Sequence, residues 1–495
     1  MLPLPLPRAA RARPGHPAVV GADGASVDYA GLAAWSDGLA RRLATAGVTV
    51  GDRVALVADD GARFAALAHA VARLGATLVP LNTRLTAAEI GWQVADAAPR
   101  LVVAEPHLAD RVAAPTAWDA LAALPPSNAP LLDGVPLDAP ATVIYTSGTT
   151  GRPKGAILTF GNHAWSAAAS ALRLGALPDD RWLAPLPLFH VGGLAVVWRA
   201  ALAASTALLP GRFDALAVAG AIAAQDVTLV SLVPTMLARV LDAWGDRGPP
   251  ARLRAVLLGG GPAAPALLAR AVRRGFPVAL TYGLTEAASQ VATDWPRRDP
   301  AAVDGGAPPL PFTDLRVVDA EGAPLPPGVD GAIEVRGPTV MAGYWRAPEA
   351  TARVLAGGWL ATGDVGRLDD AGRLHVRGRR DDLIVSGGEN VYPAEVEAVL
   401  AGHPRVGACC VVGVPDPDWG EVVAAAVVHA PGMAGAQSPP EGDLEGEIVD
   451  HLRRHLAGYK LPRRFVWLEA LPATAAGKVR RDAVRRLVIA SADRP

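Results

Sequence analysis

The stretch YTSGTTGRPKG, residues 145–155, directly follows the apolar run at residues 141–144. Its glycines let the backbone turn and approach a ligand closely, and its hydroxyl and ammonium groups can donate hydrogen bonds to an anion. The residues that carry these properties are Thr146, Ser147, Gly148, Thr149, Thr150, Gly151, Lys154 and Gly155. This combination suits the binding of a polyphosphate.

The spacing separates this loop from the phosphate loop of the common nucleotide hydrolases, which reads G-x-x-x-x-G-K-[ST]. Here the order is G-x-x-G-x-x-K-G. By composition alone the loop could equally be a surface turn, because Gly, Ser and Thr are frequent in turns. Evidence for one interpretation over the other has to come from the rest of the chain.

Length and composition indicate a soluble globular protein of several domains. The chain has 495 residues, too many for a single core, and 51% of them are hydrophobic while 19% are charged. Such a composition excludes a disordered chain. The formal net charge of -1 gives no reason to expect nucleic acid as a partner.

We expect neither a signal peptide nor a membrane insertion. Prolines interrupt the apolar start of the chain, and the most membrane-like stretch, Val191 to Pro210, carries Arg199 near its centre. A charge at that position is costly in a bilayer, so a buried helix of a soluble protein is the better interpretation. The two cysteines, Cys409 and Cys410, are adjacent, which is poor geometry for a disulfide and favours a reducing cytoplasm.

The chain pattern predicts two domains. From about residue 29 to residue 294, helix-like segments alternate with short apolar strands such as 53–57, 77–79, 228–230 and 255–258, which indicates parallel sheets covered by helices. Between residues 314 and 376, short alternating strands with Gly and Pro turns predict a small β subdomain. A compact unit follows, with helices at 394–400 and 444–456 and strands at 407–412 and 422–428.

Five further clusters contain unusual combinations of polar residues and glycine. They are PLPLFHVGG with His190, TYGLTEAAS with Tyr282, Thr285 and Glu286, WLATGDVGRL with Asp364, GRRDDLIVSGGENVYPAEVE with Arg379, and TAAGKVRRD with Lys478. Together with the loop at 145–155, in this order, they resemble the adenylate-forming superfamily of acyl-CoA synthetases, firefly luciferases and peptide-synthetase adenylation domains. The resemblance covers essentially the whole chain.

The resemblance implies an α/β fold with two domains. Residues 1–380 would form a large ATP- and acid-binding domain of helix-covered, mostly parallel sheets plus the small β subdomain. Residues 381–495 would form a small mobile α+β lid, with the hinge at Asp381. Lys478 and His190 would act in catalysis. Glu286 would be catalytic and would hold Mg²⁺, a cation that prefers oxygen ligands.

The resemblance also implies the residues that bind each substrate. The loop from Thr146 to Lys154 would bind the phosphates of ATP, and Tyr282, Gly283, Thr285, Asp364 and Arg379 would complete the nucleotide site. Coenzyme A would bind near Ser386, Gly387 and Gly388. The acid would lie in a pocket lined by His190, Gly192, Gly193, Arg199, Gly260 and Ser289. For His190 and Arg199, structural roles remain open beside these functions.

Four stretches, at residues 81–97, 159–175, 186–200 and 281–293, resemble the 2-succinylbenzoate-CoA ligases of menaquinone biosynthesis. A ring-sized apolar slot and a polar group for the second carboxylate would suit that acid, and Arg199 is a candidate cation. Other aryl- or medium-chain-acyl-CoA ligases, enzymes that load a carrier protein, a luciferase-like monooxygenase and a silent nucleotide-binding protein are alternatives. Assembly into a homo-oligomer is compatible with the sequence.

Overall fold

The computed structural model describes residues 1–146, 152–261, 263, 265–299, 306–379, 384–391, 393–430, 441–472 and 479–492. The chain divides into two compact units, which are described separately. The first unit comprises Met1–Thr83, Gly91–Thr146 and Lys154–Gly378, and the second comprises Arg84–Ile90, Ser147–Pro153 and Arg379–Pro495. The predicted hinge, Asp381, lies outside the described residues.

The helices are distributed over both units. They are α1 (Pro5–Ala12), α2 (Tyr29–Thr45), α3 (Gly61–Arg73), α4 (Ala87–Ala97), α5 (Trp118–Ala123), α6 (Phe160–Leu174), α7 (Val191–Ala203), α8 (Ala215–Ala224), α9 (Pro234–Trp244), α10 (Pro265–Arg273), α11 (Pro348–Val354), α12 (Pro393–Leu400), α13 (Glu441–Arg453) and α14 (Arg481–Ala492). Short 3-10 helices occur at Pro106–Arg111, Thr285–Ala287 and Gly458–Lys460.

The strands up to the small β subdomain are β1 (Leu2–Pro3), β2 (Pro17–Val20), β3 (Ser26–Asp28), β4 (Arg53–Val57), β5 (Thr77–Pro80), β6 (Leu101–Ala104), β7 (Thr116–Ala117), β8 (Gly134–Val135), β9 (Pro140–Thr146), β10 (Lys154–Thr159), β11 (Arg181–Leu183), β12 (Thr206–Leu208), β13 (Leu229–Leu232), β14 (Ala255–Leu258), β15 (Val278–Leu284) and β16 (Ser289–Thr293). The later strands are β17 (Asp314–Val318), β18 (Gly331–Arg336), β19 (Gly343–Tyr344), β20 (Leu355–Ala356), β21 (Trp359–Leu368), β22 (Leu374–Arg379), β23 (Ile384–Ser386), β24 (Glu389–Val391), β25 (Val406–Asp416), β26 (Gly420–His429) and β27 (Arg464–Trp467).

Two large sheets form the framework of the first unit. One has the order β19-β10-β9-β5-β4-β6-β7 and the other β16-β15-β14-β13-β11-β12-β2-β3. Neighbouring strands are parallel within the run β9-β5-β4-β6-β7 of the first sheet and within the run β15-β14-β13-β11-β12-β2 of the second. Strand β10 is antiparallel to β9, β16 to β15, and β3 to β2. Parallel strands are covered on both faces, which explains why β4 and β14 are apolar almost without interruption.

Helix α6 follows β10, and hydrogen bonds between neighbouring residues stabilise its first turn. Thr159 caps the helix by accepting a hydrogen bond from the Asn162 backbone, and the Asn162 side chain accepts one from the Thr159 backbone in return. This reciprocal pair satisfies two donors that would otherwise be unpaired at the helix start. The Asn162 amide also donates to the carbonyls of Pro338 and Val340, 2.8 and 2.9 Å away, which fixes the approach to β19.

The small β subdomain is an antiparallel sheet of the order β17-β18-β21-β20, with β22 paired to β21. Strand β19 does not belong to it. Instead, Tyr344 pairs with Ala156 on β10, so β19 is the edge strand of the first large sheet. The chain therefore returns to the strand that follows the glycine-rich loop before the subdomain is complete.

The second unit contains a sheet of the order β24-β23-β26-β25, with β27 parallel to β26. Alternate residues of β25 enter different cores: Val411 packs with residues of α12 and α13, whereas Cys410 and Val412 pack with residues of α14. Both faces of the hairpin β25–β26 are thus covered, which explains its apolar run and places Cys410 in the interior. Among the described residues, neither Cys409 nor Cys410 forms a disulfide.

The predicted α/β fold is confirmed, and several element boundaries differ from the sequence prediction. Helix α13 covers Glu441–Arg453 rather than 444–456. Helix α7 ends at Ala203 because Ala204 adopts a left-handed conformation, with φ 50°, and the stretch that reaches Pro210 continues as β12. No helix in the described part of the chain is both long and apolar enough to cross a bilayer.

Candidate functional site

The structure describes the two ends of the glycine-rich loop. Strand β9 ends at Thr146 and β10 begins at Lys154, and these two residues are antiparallel partners. Gly155 is required here, because a Cβ atom would lie 2.5 Å from Cγ1 of Val143. Residues 147–151, which include Ser147, Gly148, Thr149, Thr150 and Gly151, lie outside the described residues.

The carboxylate of Glu286 faces the end of β9. The hydroxyl of Thr146 donates to its Oε1 atom at 3.3 Å, and the hydroxyl of Tyr344 donates to the same oxygen at 2.9 Å. The backbone carbonyl of Glu286 accepts a hydrogen bond from Met341 at 2.8 Å. Two hydroxyls therefore orient one carboxylate oxygen beside the start of the loop, and this half-buried carboxylate is a suitable ligand for a hard cation.

A strained turn between β15 and β16 positions Glu286. Ala288 and Ser289 have φ values of 51° and 97°, a conformation that non-glycine residues seldom adopt. A Cβ atom at Gly283 would lie 1.7 Å from the carbonyl oxygen of Ser289. Only glycine allows the two strands to approach so closely, so Gly283 shapes the turn that carries Glu286 and Thr285.

The side chains of Tyr282 and Asp364 form a hydrogen bond within the first unit. The Tyr282 hydroxyl donates to Oδ2 of Asp364 at 2.6 Å. Asp364 is 7% exposed, and its backbone N–H donates to the Thr362 hydroxyl at 3.1 Å. A short hydrogen bond from a phenol to a buried carboxylate holds both side chains in one orientation.

Lys154 supplies a positive charge near Glu286. Its Nζ atom lies 5.6 Å from the centre of the Tyr344 ring. Burial lowers the pKa of the Lys154 ammonium group, and Arg353 lowers it further, whereas Glu286 raises it. The ammonium group is therefore partly desolvated, which strengthens its interaction with an anion.

His190 and the glycines after it form the start of α7. His190 directly precedes the first residue of this helix, and its ring lies 4.7 Å from that of Phe189 in an edge-to-face arrangement. A Cβ atom at Gly193 would lie 2.4 Å from the carbonyl oxygen of Pro187, so this position needs glycine. At Gly192 the nearest atom to a Cβ would be 3.5 Å away, which leaves room for a side chain.

Arg199 lies in the middle of α7 and is 6% exposed. Its guanidinium carbon lies 5.3 Å from the centre of the Trp182 ring, and Nη2 lies 3.5 Å from the Ser166 hydroxyl. Its Nε atom has no hydrogen-bond partner among the described residues. Burial lowers the pKa of Arg199 to about 10, so the side chain is still charged at neutral pH.

A cavity of about 240 Å³ adjoins Arg199. Its walls come from α6, the end of α7 and β11, and include Trp182, Ser170 and several alanines of α6. The Ser170 hydroxyl is buried and also lacks a partner within the described part of the chain. Of the residues predicted for the acid pocket, Arg199 alone lines this cavity.

Two other predicted pocket residues take special backbone conformations. Gly260 follows β14 with φ 79°, and a Cβ atom there would lie 3.1 Å from Val233. Ser289 begins β16 next to Gln290, whose Oε1 atom is buried without a partner among the described residues. The Gln290 amide donates to Thr293 at 3.3 Å.

In the second unit, Ser386, Gly387 and Gly388 form a hairpin. Ser386 pairs with Glu389, so the connection between β23 and β24 has two residues, and both glycines have positive φ values of 58° and 83°. A two-residue turn of this kind needs residues that tolerate positive φ. The glycine pair thus has a structural role, and Trp419 packs against Gly387.

The structure brings together Thr146, Lys154 and Glu286, and separately Tyr282 and Asp364. Sequence reasoning missed Tyr344 as a partner of Glu286. The signal was a tyrosine directly after Gly343, in a strand too short to be recognised from its pattern. Lys478 and the side chain of Arg379 lie outside what the structure describes.

Comparisons with known proteins identify the family of the chain. The sequence matches the AMP-binding enzyme family over residues 6–345 and the AMP-binding enzyme C-terminal domain over residues 395–478. A 2-succinylbenzoate-CoA ligase from Geobacillus kaustophilus (strain HTA426) is 43% identical over 463 residues, which cover 93% of this chain and 92% of the relative.

Two solved structures of o-succinylbenzoate CoA synthetase from Bacillus subtilis are also similar. A double mutant bound with its product analogue OSB-NCoA has a TM-score of 0.90 and 38% identity, and the match covers 98% of each chain. The complex with the acyl-adenylate intermediate OSB-AMP has a TM-score of 0.74 and 37% identity, again with 98% of each chain covered.

Proposed function

The chain belongs to the AMP-binding enzyme family, and on this premise we propose that it joins 2-succinylbenzoate to coenzyme A through an acyl-adenylate, with release of AMP and pyrophosphate. The Geobacillus kaustophilus relative and the Bacillus subtilis complexes support this choice of acid and of intermediate. The enzyme is then an AMP-forming acid-thiol ligase of menaquinone biosynthesis.

Arg199 is the observation that carries the choice of acid. A dicarboxylate has a second carboxylate that the adenylation step does not use, and this group needs a cation when it is buried. The Arg199 guanidinium is buried, charged and incompletely hydrogen-bonded. We assign it to this second carboxylate, and His190, Gly192, Gly193, Gly260 and Ser289 to the rest of the acid pocket.

ATP would bind at the end of β9. In this proposal, Lys154 and the loop from Thr146 to Gly151 contact the β- and γ-phosphates, while Tyr282, Asp364 and Arg379 bind the nucleoside. Mg²⁺, when bound, neutralises phosphate charge, and Glu286 is the residue that would hold it. The hydroxyls of Thr146 and Tyr344 orient this carboxylate before the substrate arrives.

The reaction proceeds in two half-reactions. In the first, the carboxylate of the acid attacks the α-phosphate of ATP, pyrophosphate leaves, and Lys478 stabilises the charge on the transferring group. In the second, the thiolate sulfur of coenzyme A attacks the acyl carbonyl, and AMP is the leaving group. A rotation about Asp381 would withdraw Lys478 and present Ser386, Gly387 and Gly388 to coenzyme A between these steps.

Other acids remain candidates for the same chemistry. An aryl or medium-chain acid, or the loading of a carrier protein, would use the same nucleotide site. A silent nucleotide-binding protein would be expected to lack Lys478 or Glu286, and the chain has both. A cytoplasmic location and a homo-oligomeric state stay predictions.

The first experiment measures pyrophosphate and AMP release with ATP, Mg²⁺ and coenzyme A. The acids are 2-succinylbenzoate, benzoate, 4-hydroxycinnamate, octanoate and acetate, and mass spectrometry identifies the thioester. We expect strong preference for 2-succinylbenzoate. Preference for another acid would retain the ligase chemistry and would refute the assignment of Arg199.

A pair of variants separates the two half-reactions. Lys478→Ala should abolish adenylation and spare thioester formation from supplied acyl-adenylate, whereas Asp381→Pro should do the reverse. Each half-reaction is measured by itself, as pyrophosphate release without coenzyme A and as thioester formation without ATP. Adenylation that survives in the lysine variant would overturn the role of Lys478.

A further inference from the structure

Asp59, Glu105 and His107 meet at one edge of the first large sheet, in a part of the molecule that the proposed function does not use. Asp59 follows β4 and Glu105 follows β6, and these strands are parallel neighbours with Val57 opposite Ala104. The carboxyl ends of parallel neighbours lie at the same edge of a sheet. The three side chains are therefore close although nearly fifty positions separate the first from the last.

The donor atoms of this cluster are spaced as ligands of a single ion. The Nε2 atom of His107 lies 3.2 Å from Oδ1 of Asp59 and 4.0 Å from Oε2 of Glu105. One donor atom from each residue lies within 4.8 Å of those of the other two. Bonds of about 2.1 Å at a tetrahedral angle place neighbouring donors about 3.4 Å apart, so small side-chain adjustments complete the geometry.

Glu105 provides a second, independent indication of a ligand. Its side chain is 1% exposed, and its Oε1 atom has no hydrogen bond within the described residues. The Oε2 atom accepts one from the Asp59 backbone at 3.2 Å. A carboxylate so deeply buried needs a compensating charge.

Arg63 does not provide that compensation fully. Its Nη1 atom remains 3.9 Å from Oε1 of Glu105, and its guanidinium lies 5.6 Å from the centre of the Trp118 ring. The carboxylates of Asp59 and Asp60 add negative charge around the same group. The buried carboxylate thus has more negative than positive charge around it.

We propose that Asp59, Glu105 and His107 bind one divalent transition-metal ion, with Zn²⁺ as the best match. One imidazole and two carboxylates suit such ions, whereas Mg²⁺ prefers oxygen ligands alone. The side chains of Asp59 and His107 are 54% and 59% exposed, so the ion can enter from solvent and water can complete its coordination. The ion joins the ends of β4 and β6, and its binding stabilises the native state by mass action.

The test is calorimetric titration of Zn²⁺ into the full chain after treatment with EDTA and its removal. Wild type should bind one Zn²⁺ more than His107→Ala and more than Asp59→Asn, and saturating Zn²⁺ should raise the melting temperature of wild type but of neither of these two variants. Asp59→Asn keeps the size of the side chain, so it reports on binding even where His107→Ala unfolds.

His375→Ala is the matched control. His375 also pairs with an aspartate, at 2.8 Å from Asp369, and this pair has no third ligand among the described residues. The control should retain the wild-type number of Zn²⁺ ions. Equal uptake and equal affinity for wild type, His107→Ala and Asp59→Asn would overturn the proposal, because the three side chains would then be an ion-pair network without a metal.

Discussion

The nucleotide end and the acid end of the candidate site differ in how far the protein satisfies its own polar groups. At the nucleotide end, Glu286 accepts two hydroxyl hydrogen bonds and Asp364 accepts one from Tyr282. At the acid end, Nε of Arg199 and Oε1 of Gln290 are buried without partners among the described residues.

This difference matches the tasks of the two ends: the nucleotide end is used for every acid, whereas the acid end has to select one class of acid. Groups that are oriented in advance stabilise charge without reorganisation, which serves every turnover irrespective of the acid. A buried polar group without a partner costs free energy until a substrate supplies one, and a substrate that lacks the matching group is rejected. We therefore expect changes at the nucleotide end to affect all acids equally, and changes at Arg199 to affect one class.

The largest effect is expected for Glu286→Gln. An amide keeps the shape but loses the negative charge that would hold Mg²⁺, so kcat/KM should fall about 100- to 1000-fold for every acid in the panel. Pyrophosphate release without coenzyme A is the measurement. A loss confined to 2-succinylbenzoate would contradict the division between the two ends.

Arg199→Leu should have the next largest effect, and a selective one. Loss of a charge-assisted contact should lower kcat/KM for 2-succinylbenzoate about 10- to 100-fold and leave benzoate nearly unchanged. Because the variant removes a buried and incompletely paired charge, its melting temperature should not fall.

Arg239→Leu is the control for Arg199→Leu, since Arg239 is an exposed arginine on α9. It should leave both acids unaffected. If Arg199→Leu lowers the melting temperature and the activity with both acids alike, Arg199 has a structural role, the alternative that its helical position left open.

The smallest effect is expected at Lys154, as a change in pH dependence. Burial lowers the pKa of Lys154 below its ordinary value of 10.5, so the ammonium group loses its charge as the pH rises through this lowered pKa. In wild type, kcat/KM for ATP should decline over that range. Lys154→Arg keeps its charge, so its decline should begin at higher pH, while activity at neutral pH changes little. If kcat/KM for ATP declined over the same alkaline pH range in wild type and in Lys154→Arg, Lys154 would not be a residue that binds ATP.

The sequence was most informative where one short pattern has one physical meaning. Strands β4 and β14 have the predicted limits, because a run of apolar residues between polar turns fits only a strand that is covered on both faces. Helix α7 was predicted too long. The apolar run continues beyond the helix into β12. Composition does not show that Ala204 adopts a positive φ value, which ends the helix.

Contacts between distant segments were not predictable from local pattern. Tyr344 reaches Glu286 across 58 positions, and it does so because β19 pairs with β10 rather than with the strands of the small β subdomain on either side of it in the sequence. The cluster of Asp59, Glu105 and His107 likewise depends on the order of strands in the sheet. The motif residues were identified by type and position, whereas their partners follow from topology.

The position of β19 also has a consequence for synthesis of the chain. Thr146, Glu286 and Tyr344 are separated by 140 and then 58 positions, so the carboxylate cannot acquire both hydroxyl partners until residue 344 has left the ribosome. At roughly 5–20 residues per second, that is about 10–40 s after Thr146 is made. During this interval the nascent chain carries the glycine-rich segment without the completed pair of hydrogen bonds to Glu286.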